Sequence, residues 1–501
     1  MKRKIFLTLS VVMLLFGACD EEALDKSNPN QLSTSTFFET AAQMEAAVNA
    51  TYTSLQTPGF YNRYYFFMND LMAQECFGMG SLAADLRQYI DYSFDGSNPG
   101  IQAFWNVNYQ GISRANLVIQ NQNTPPEEAI SETLRNRYVG EARFMRAFYY
   151  FELVSRFGDI PIYTEVATNP IGNPRAAASE IYELIYSDLD FAESNLPHKS
   201  TYSDANLGRA TKTAAQALKG KVRMFRGEYS EALTELQKVI DSGEHSLSDD
   251  FYDNFTEEAE HNSESIFEVQ YNSSFGGGGA WGGDGSGIAE VTFRGQEYGF
   301  SAWRNVIPSD ELLAEFEEGD PRYDMSFYFP GDTYGSNDEF QIEANVTIPD
   351  DLGSWRKYQR YYKQEREDTN SGVNFRIIRF ADVLLMAAEA KAQTGDVPGA
   401  VTLMNMIRAR PSVDMPLYGS AEMDDAGYPV ATLDQFMDAL IHERAVELCG
   451  EQIRFRDLKR WGLLPEVVPN YSANKHELLP IPSHEIDANE NISQADQNPG
   501  Y

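Results

Sequence analysis

Aromatic side chains stand beside arginines or glycines at several places in this 501-residue chain. An aromatic ring offers an apolar face, and a neighbouring guanidinium or hydroxyl offers hydrogen bonds. Together they can bind a ligand that has an apolar face and hydrogen-bonding groups. The candidate ligand-binding residues are Trp281, Trp303, Tyr298, Arg294, Tyr89, Tyr64 and Tyr65. Packing in the core is the alternative for each of these rings.

The most unusual stretch is SSFGGGGAWGGDGSG, residues 273–287. It contains no Lys, so it is not a phosphate-binding loop. It also lacks the spaced acidic residues of an EF-hand, and Gly287 stands where a calcium-binding nonapeptide repeat needs Asp. Two interpretations remain: Trp281 is an adaptable stacking platform for a sugar, or it packs on the scaffold within a solvated loop.

Catalytic and metal-binding patterns are not found. The segment HERAVE begins like a zincin motif, but Val446 stands where the second His should be. The six His residues have no metal-ligand spacing, and no G-x-S-x-G motif occurs. The 75 acidic residues make chance carboxylate pairs uninformative. We therefore predict no enzymatic activity, no metal and no cofactor.

A charged cluster is expected near the C-terminus. Thr432 and Gln435 form a predicted capping box that opens a helix. Arg444 lies on the apolar stripe of this helix, between Leu440 and Leu448, where a buried guanidinium needs carboxylate partners. An acid/base site is the alternative to a structural role. The predicted structural ion network comprises Arg444, Glu447, Arg454, Asp457 and Arg460.

The composition limits the class of partner. The net charge is −35 and no stripe of Lys and Arg occurs, which excludes a nucleic-acid-binding protein. The chain is 42% hydrophobic and 23% charged, as expected for a globular protein.

The N-terminus has the pattern of an export signal. A basic start precedes an apolar run of twelve residues, Ile5 to Phe16, whereas a membrane-spanning helix needs about 20. We predict that residues 1–18 are a signal peptide and 19–30 an acidic leader. LFGAC resembles a bacterial lipobox with Cys19 as the lipidated residue, although Phe16 replaces the usual Leu. Asp20, Glu21 and Glu22 resemble the acidic tag that directs some lipoproteins to the cell surface, and an acidic, disordered leader is the alternative. Cys76 and Cys449 are predicted to be buried free thiols.

Most of the remaining chain has helical periodicity. Phe144, Phe148, Phe151 and Val154 step by four, three and three, which predicts one apolar stripe on a long helix that Gly158 ends. A second long helix is predicted from about residue 179 to the break at residue 197.

A helix–turn–helix pattern occurs twice. Gly227 precedes Ala232 by five residues, and 168 residues later Gly395 precedes Ala400 by the same spacing. Each pair begins with an Ala-rich helix and continues with a shorter one. This pattern is typical of tetratricopeptide repeats. We predict that helical repeats of this type occupy two regions, from about residue 100 to 242 and from about residue 374 to 462.

The residues between these regions, about 243–372, are rich in Gly, Tyr, Asp and Asn and lack helical periodicity. One strand is predicted in SIFEVQY. Inserts of this length are usually functional or disordered. The predicted fold is therefore mostly α: a tetratricopeptide-like helical-pair scaffold with a large irregular insert and minor β structure.

Several motifs together resemble the SusD/RagB family: ARFMRAFYYFELVSRFGDIP, RFADVLLMAAEA, IHERAVELCGEQIRFRDLKRWG, the ending QNPGY and the lipoprotein-like start. They cover nearly the whole mature chain in the family's order, so that 31–501 forms one domain. The resemblance implies a surface lipoprotein of the Gram-negative outer membrane, with four tetratricopeptide-like helical pairs and no catalytic activity. Trp105 and Trp461 would belong to the scaffold.

The resemblance also implies a function and partners. Family members bind a glycan, or more rarely a peptide, and form a lid on a SusC-like TonB-dependent transporter. We therefore predict capture of an oligo- or polysaccharide and its transfer to such a transporter. A tetratricopeptide-type scaffold that binds peptide or protein ligands is the alternative.

Overall fold

A computed structural model describes residues 37–73, 75–275, 289–300, 302–334, 340–342, 352–359 and 370–501. The described residues are mostly helical, as the sequence predicts. Their 19 α-helices are α1 (Ala41–Tyr52), α2 (Tyr64–Asp70), α3 (Ala84–Asp91), α4 (Pro99–Gln120), α5 (Glu132–Phe157), α6 (Ala178–Asn195), α7 (Lys212–Phe225), α8 (Tyr229–Asp241), α9 (Arg294–Tyr298), α10 (Asp310–Glu315), α11 (Pro321–Ser326), α12 (Phe380–Gln393), α13 (Val397–Arg408), α14 (Ala421–Asp425), α15 (Leu433–Leu448), α16 (Arg454–Arg460), α17 (Leu464–Val467), α18 (Ala473–His476) and α19 (Ser483–Ala488).

The strands of the described residues are short and form two-stranded antiparallel ribbons. They are β1 (Cys76–Gly78), β2 (Ile160–Pro161), β3 (Arg175–Ala176), β4 (Ser265–Val269), β5 (Val306–Pro308), β6 (Phe327–Tyr328), β7 (Thr333–Tyr334), β8 (Phe340–Gln341), β9 (Ser354–Trp355) and β10 (Phe375–Arg379). The pairs are β1 with β5, β2 with β3, β4 with β10, β6 with β9, and β7 with β8.

The long helices form one continuous scaffold. Helices α4, α5, α6, α7 and α8 each pack against the next, α8 packs against α12, and α12 packs against α13 and α15. The ribbon of β4 and β10 joins the two ends of the segment between these strands, which makes up most of the predicted insert, and β10 leads directly into α12. This segment therefore starts and finishes at one place on the scaffold.

Local sequence signals explain the boundaries of α5. The Ser131 hydroxyl accepts a hydrogen bond from the Leu134 amide at the N-terminus. The predicted stripe of Phe144, Phe148 and Phe151 is buried. The helix ends at Gly158, which has φ +72°, a conformation that glycine adopts without strain.

The two predicted helix–turn–helix pairs are present as α7–α8 and α12–α13. Gly227 and Gly395 lie at the two turns with φ of +71° and +97°. Ala232 and Ala400 are fully buried where the second helix meets the first. The repeated spacing therefore comes from one turn geometry and one close helix contact.

Two further sequence predictions are confirmed. The side chain of Thr432 accepts from the Gln435 amide at the start of α15, and the Gln435 side chain completes the capping box. Cys76 and Cys449 are both free and buried. Among the described residues, no helix has both the length and the apolarity needed to cross a membrane.

Candidate functional site

One exposed aromatic side chain lies in the ribbon of β1 and β5, and a second lies three residues before β5. Phe77 is 59% exposed and Trp303 is 57% exposed. Phe77 lies in β1 opposite Ile307 of β5, and the Met79 amide donates to the Asn305 carbonyl oxygen at 2.9 Å. Because Trp303 lies four residues before Ile307, the two rings are attached at Cα atoms no more than roughly 20 Å apart.

Polar side chains surround this ribbon and are linked by hydrogen bonds. Asn305 Nδ2 donates to Glu297 Oε2 at 2.6 Å, and Asn305 Oδ1 accepts from the Ser81 hydroxyl at 2.5 Å. Arg63 lies 3.4 Å from the other oxygen of Glu297. The buried carboxylate of Glu297 thus joins α9 to the start of α2.

The contacts that run from Asn305 through Glu297 to Arg63 continue to the ring of Tyr64. The guanidinium of Arg63 lies over the Tyr64 ring at 5.0 Å and over the Phe67 ring at 5.5 Å. The Tyr64 ring is partly exposed, and burial raises the pKa of its hydroxyl. The phenol therefore stays neutral and can both donate and accept.

We call this region the Trp303 surface. It consists of Arg63, Tyr64, Phe77, Ser81, Glu297, Trp303 and Asn305. The rings of Phe77 and Trp303 are exposed, and those polar side chains that reach solvent are Ser81 and, in part, Arg63 and the Tyr64 hydroxyl, whereas Glu297 and Asn305 are buried beneath them. Of the residues that the sequence predicted as ligand contacts, Trp303 and Tyr64 lie on this surface.

Arg294 and Tyr298 do not face solvent, contrary to their prediction as ligand contacts. Arg294 is 2% exposed and donates to the Gly450 carbonyl oxygen at 2.7 Å and to Gln452 at 3.1 Å. Tyr298 is fully buried and its hydroxyl donates to Asp70 at 2.9 Å. These two side chains anchor α9 to the core, and so position Glu297 and Trp303.

Tyr65 and Tyr89 also differ from the prediction. Tyr65 is 3% exposed, and its ring centroid lies 4.4 Å from that of Tyr61. Tyr89 is fully buried, and its hydroxyl donates to Asn98 at 3.0 Å. A ring without an exposed face cannot stack on a sugar, so both belong to the core. Trp281 and Cys19 lie outside the described residues.

The predicted ion network lies where α12, α15 and α16 meet. Arg444 donates to Asp457 at 2.6 Å and to Asp382 at 2.9 Å. Arg460 also pairs with Asp457, at 2.9 Å, and with Glu389. The pKa of Asp457 is lowered, because Arg444 and Arg460 outweigh the effect of burial.

Glu447 belongs to a second buried cluster. Its oxygens accept from Arg379 at 2.7 Å, from Arg410 at 2.8 Å and from Arg322 at 3.1 Å. Burial alone would raise the pKa of Glu447, but Arg410, Arg379 and Arg322 together lower it to about 2. Arg454 is separate from both clusters, since it donates to the Ile441 carbonyl oxygen.

The sequence did not identify Phe77, Ser81, Glu297 and Asn305 as members of the site. Phe77 is a single aromatic without a periodic pattern, and Asn305 joins the surface through a strand pair that spans about 230 residues. The only sequence signal for Glu297 and Asn305 was that they lie within a few residues of the predicted site residues Arg294, Tyr298 and Trp303. Within the described residues, no group of three His, Cys, Asp or Glu side chains is placed to hold a metal ion.

Comparison with known proteins gives consistent matches along the chain. A family model described as the SusD family matches residues 263–476. A second model, described as starch-binding associating with outer membrane, matches residues 22–224. The chain is also similar to SusD-like protein P2 of Formosa agariphila, with 29% identity and 100% coverage of both chains.

Solved structures with the same fold include two proteins whose ligand class is known. A laminarin-binding SusD-like protein is 26% identical, with a TM-score of 0.75, over 93% of this chain and 100% of that chain. Surface glycan-binding protein A from Bacteroides fluxus is 25% identical, with a TM-score of 0.74, over 92% and 100% of the two chains.

Proposed function

This chain belongs to the SusD family, and from this membership and the Trp303 surface we propose that it is a glycan-binding protein of the bacterial cell surface. It captures an oligo- or polysaccharide and passes it to a SusC-like TonB-dependent transporter in the outer membrane. A lipid on Cys19 anchors it, and the acidic leader after Cys19 connects the anchor to the folded domain.

The observation that carries the proposal is the exposure of Trp303 beside linked hydrogen-bonding groups. Covering roughly 50 Å² of apolar sugar surface at about 25 cal/mol per Å² contributes on the order of 1 kcal/mol per ring. Two or three aromatic contacts with a few hydrogen bonds then give a Kd of roughly 0.1–1 mM. Weak binding suits a protein that must release its ligand to a transporter.

The structural relatives support the ligand class. The laminarin-binding protein and the surface glycan-binding protein share this fold over more than nine-tenths of the chain. The exposed rings of Phe77 and Trp303 add apolar area on which a sugar can stack. We propose a glycan for this chain on both grounds, without assigning its linkage.

Affinity electrophoresis tests the proposal. The soluble chain starting after Cys19 is run through native gels that contain laminarin, starch or other polysaccharides. We expect at least one glycan to retard the protein relative to a non-binding reference protein. If no glycan retards it, the proposal of glycan binding is contradicted, and oligopeptides become the next ligands to test.

The anchor and the transporter need separate experiments. Wild-type cells should retain the full chain in the outer-membrane fraction, whereas Cys19→Ala should release it. A TonB-dependent transporter should copurify from detergent-solubilised outer membranes with the tagged wild-type protein. Retention of Cys19→Ala in the membrane would contradict the lipid anchor. Purification of the tagged protein without a transporter would contradict the transporter partner.

A further inference from the structure

A groove lies along one face of α4. Its volume is about 350 Å³, and α4, the segment after β2 and the C-terminal helix α19 form its walls. This volume is in the range of about 300–1,000 Å³ that is common for small-molecule sites. The groove shares no residue with the Trp303 surface.

Two partly exposed tyrosine rings form a corner in this groove, beside the buried ring of Trp105. Trp105 and Tyr109 are one turn apart on α4, with ring centroids 5.0 Å apart. Tyr163 stands perpendicular to Tyr109, at 5.9 Å and 87°. Tyr109 and Tyr163 are partly exposed, so a ligand in the corner can contact two rings at right angles.

The corner is held rigidly by the fold. The Tyr109 hydroxyl donates to the Pro161 carbonyl oxygen at 2.8 Å, and the Tyr163 hydroxyl accepts from the Asn173 amide at 3.1 Å. The Trp105 ring nitrogen donates to Glu485 of α19 at 3.2 Å. Because the rings are fixed before binding, little side-chain entropy is lost when a ligand enters.

The polar lining favours a neutral ligand with hydroxyl groups. Gln110 and Ser113 line the groove, and within the described part of the chain their side chains have no hydrogen-bond partner. Glu165 and Glu485 also line it, whereas the lining contains no Lys, Arg or His. Amide, hydroxyl and carboxylate groups match sugar hydroxyls, and two carboxylates without a cation disfavour an anionic ligand.

We propose that this groove is a second saccharide-binding site for a neutral oligosaccharide. It rests on the proposed function for its ligand class, but its geometry is independent of the Trp303 surface. A chain with two sites holds a polysaccharide more tightly than either site alone, because the second contact is intramolecular.

Fluorine NMR can observe the two sites separately. The chain has five Trp residues, so labelling with 5-fluorotryptophan gives five signals, which single Trp→Phe variants assign. Trp105 reports on the groove and Trp303 on the other surface. The probes are laminarihexaose and maltohexaose, titrated to millimolar concentration.

We expect the Trp105 signal to shift with its own saturation curve, and to do so equally in Trp303→Ala. Ser113→Arg should weaken the Trp105 response at least about tenfold by filling the groove, while the Trp303 response remains. Ser113 is exposed, so this change should leave the fold intact. Tyr163→Ala should have the same effect by removing one wall. Ser230→Arg, at an exposed position of α8, is the matched control and should change neither response.

The outcomes distinguish the two proposals. A shift of Trp303 without any shift of Trp105 would overturn the second site and leave the proposed function standing. A Trp105 shift that disappears in Trp303→Ala, or that persists in Ser113→Arg and Tyr163→Ala, would also overturn it. No response of either signal to either probe would contradict the second site, and with no retardation in the gels it would contradict the proposed function too.

Discussion

Single residues determine whether an aromatic side chain reaches solvent. Tyr298 and Trp303 are five residues apart, yet one is fully buried and the other is 57% exposed. The chain turns at Arg304, which has φ +50° and donates to the Gly353 carbonyl oxygen at 2.9 Å. The turn and this anchor hold the Trp303 backbone at the surface.

This contrast shows what the sequence could predict about the site. It identified Trp303 and Tyr64 as aromatic side chains with polar neighbours. It could not separate them from Tyr65, Tyr89 and Tyr298, because burial depends on residues that are far away in the chain. The amino-acid type gives the chemistry of a ring, and only the tertiary structure gives its exposure.

A buried carboxyl group gives a pH-dependent prediction. Burial and then the nearby charge of Asp70 raise the pKa of Glu75 to about 8. The folded chain therefore keeps this proton over a pH range in which the unfolded chain, with a pKa of about 4.3, has lost it. Stability from this group is present below the unfolded pKa and is lost as the pH rises to about 8, by up to about 1.4 kcal/mol per pH unit.

Glu75→Gln should remove this loss, because an amide has no proton to release in this range. We expect the Tm of the variant to fall less than that of the wild type between pH 5 and pH 8, measured by calorimetry. Glu128→Gln, at an exposed position, is the control. If the Tm of Glu75→Gln and that of the wild type fall equally between pH 5 and pH 8, the raised pKa of Glu75 is contradicted.

Elements in this fold are joined by buried ion pairs. Glu447 of α15 contacts Arg379 of β10, Arg410 after α13 and Arg322 of α11. Glu447→Gln leaves these guanidinium groups with too little negative charge, and we expect a loss of about 3–5 kcal/mol in the free energy of unfolding. Urea denaturation followed by circular dichroism measures this value.

The control for this prediction is an ion pair with an exposed carboxylate, whose lysine keeps a second partner, Glu235. Asp190 is 61% exposed and lies 2.5 Å from Lys219, so Asp190→Asn should cost less than about 1 kcal/mol. Similar losses for Glu447→Gln and Asp190→Asn would show that the buried cluster has no special role in joining the elements.

The helix turns provide a second prediction at this scale. Gly395 has φ +97°, and a Cβ there would meet no atom within 4 Å, so only backbone strain opposes a side chain. Gly395→Ala should therefore reduce the free energy of unfolding by about 1–2 kcal/mol, as measured in urea. Gly80, which also has open space but no positive φ, is the matched control. An equal effect of Gly80→Ala would contradict a role for the turn geometry.

The sequence predicted the helical elements well because their signals are local. Apolar periodicity, caps and terminal glycines defined α5, α7, α8 and α15 within a few residues. The ribbons were mostly not predictable, since most have strands of two or three residues, too short to show alternation. The pairing of β1 with β5 also depends on contacts between distant parts of the chain.

At the scale of the whole molecule, the Trp303 surface is formed jointly by the segment between β4 and β10 and by residues near α2 and β1. The ribbon of β4 and β10 holds the two ends of that segment together, and Arg294 attaches α9 to the turn between α15 and α16.

The most direct test of this account is calorimetric titration with an oligosaccharide of the glycan that retards the protein. Wild type, Trp303→Ala and Trp303→Phe are compared, and circular dichroism confirms that each is folded. We predict that Trp303→Ala raises the Kd at the Trp303 surface at least about tenfold, while Trp303→Phe stays within about threefold of the wild type. A Kd for Trp303→Ala within about twofold of the wild type would contradict the account.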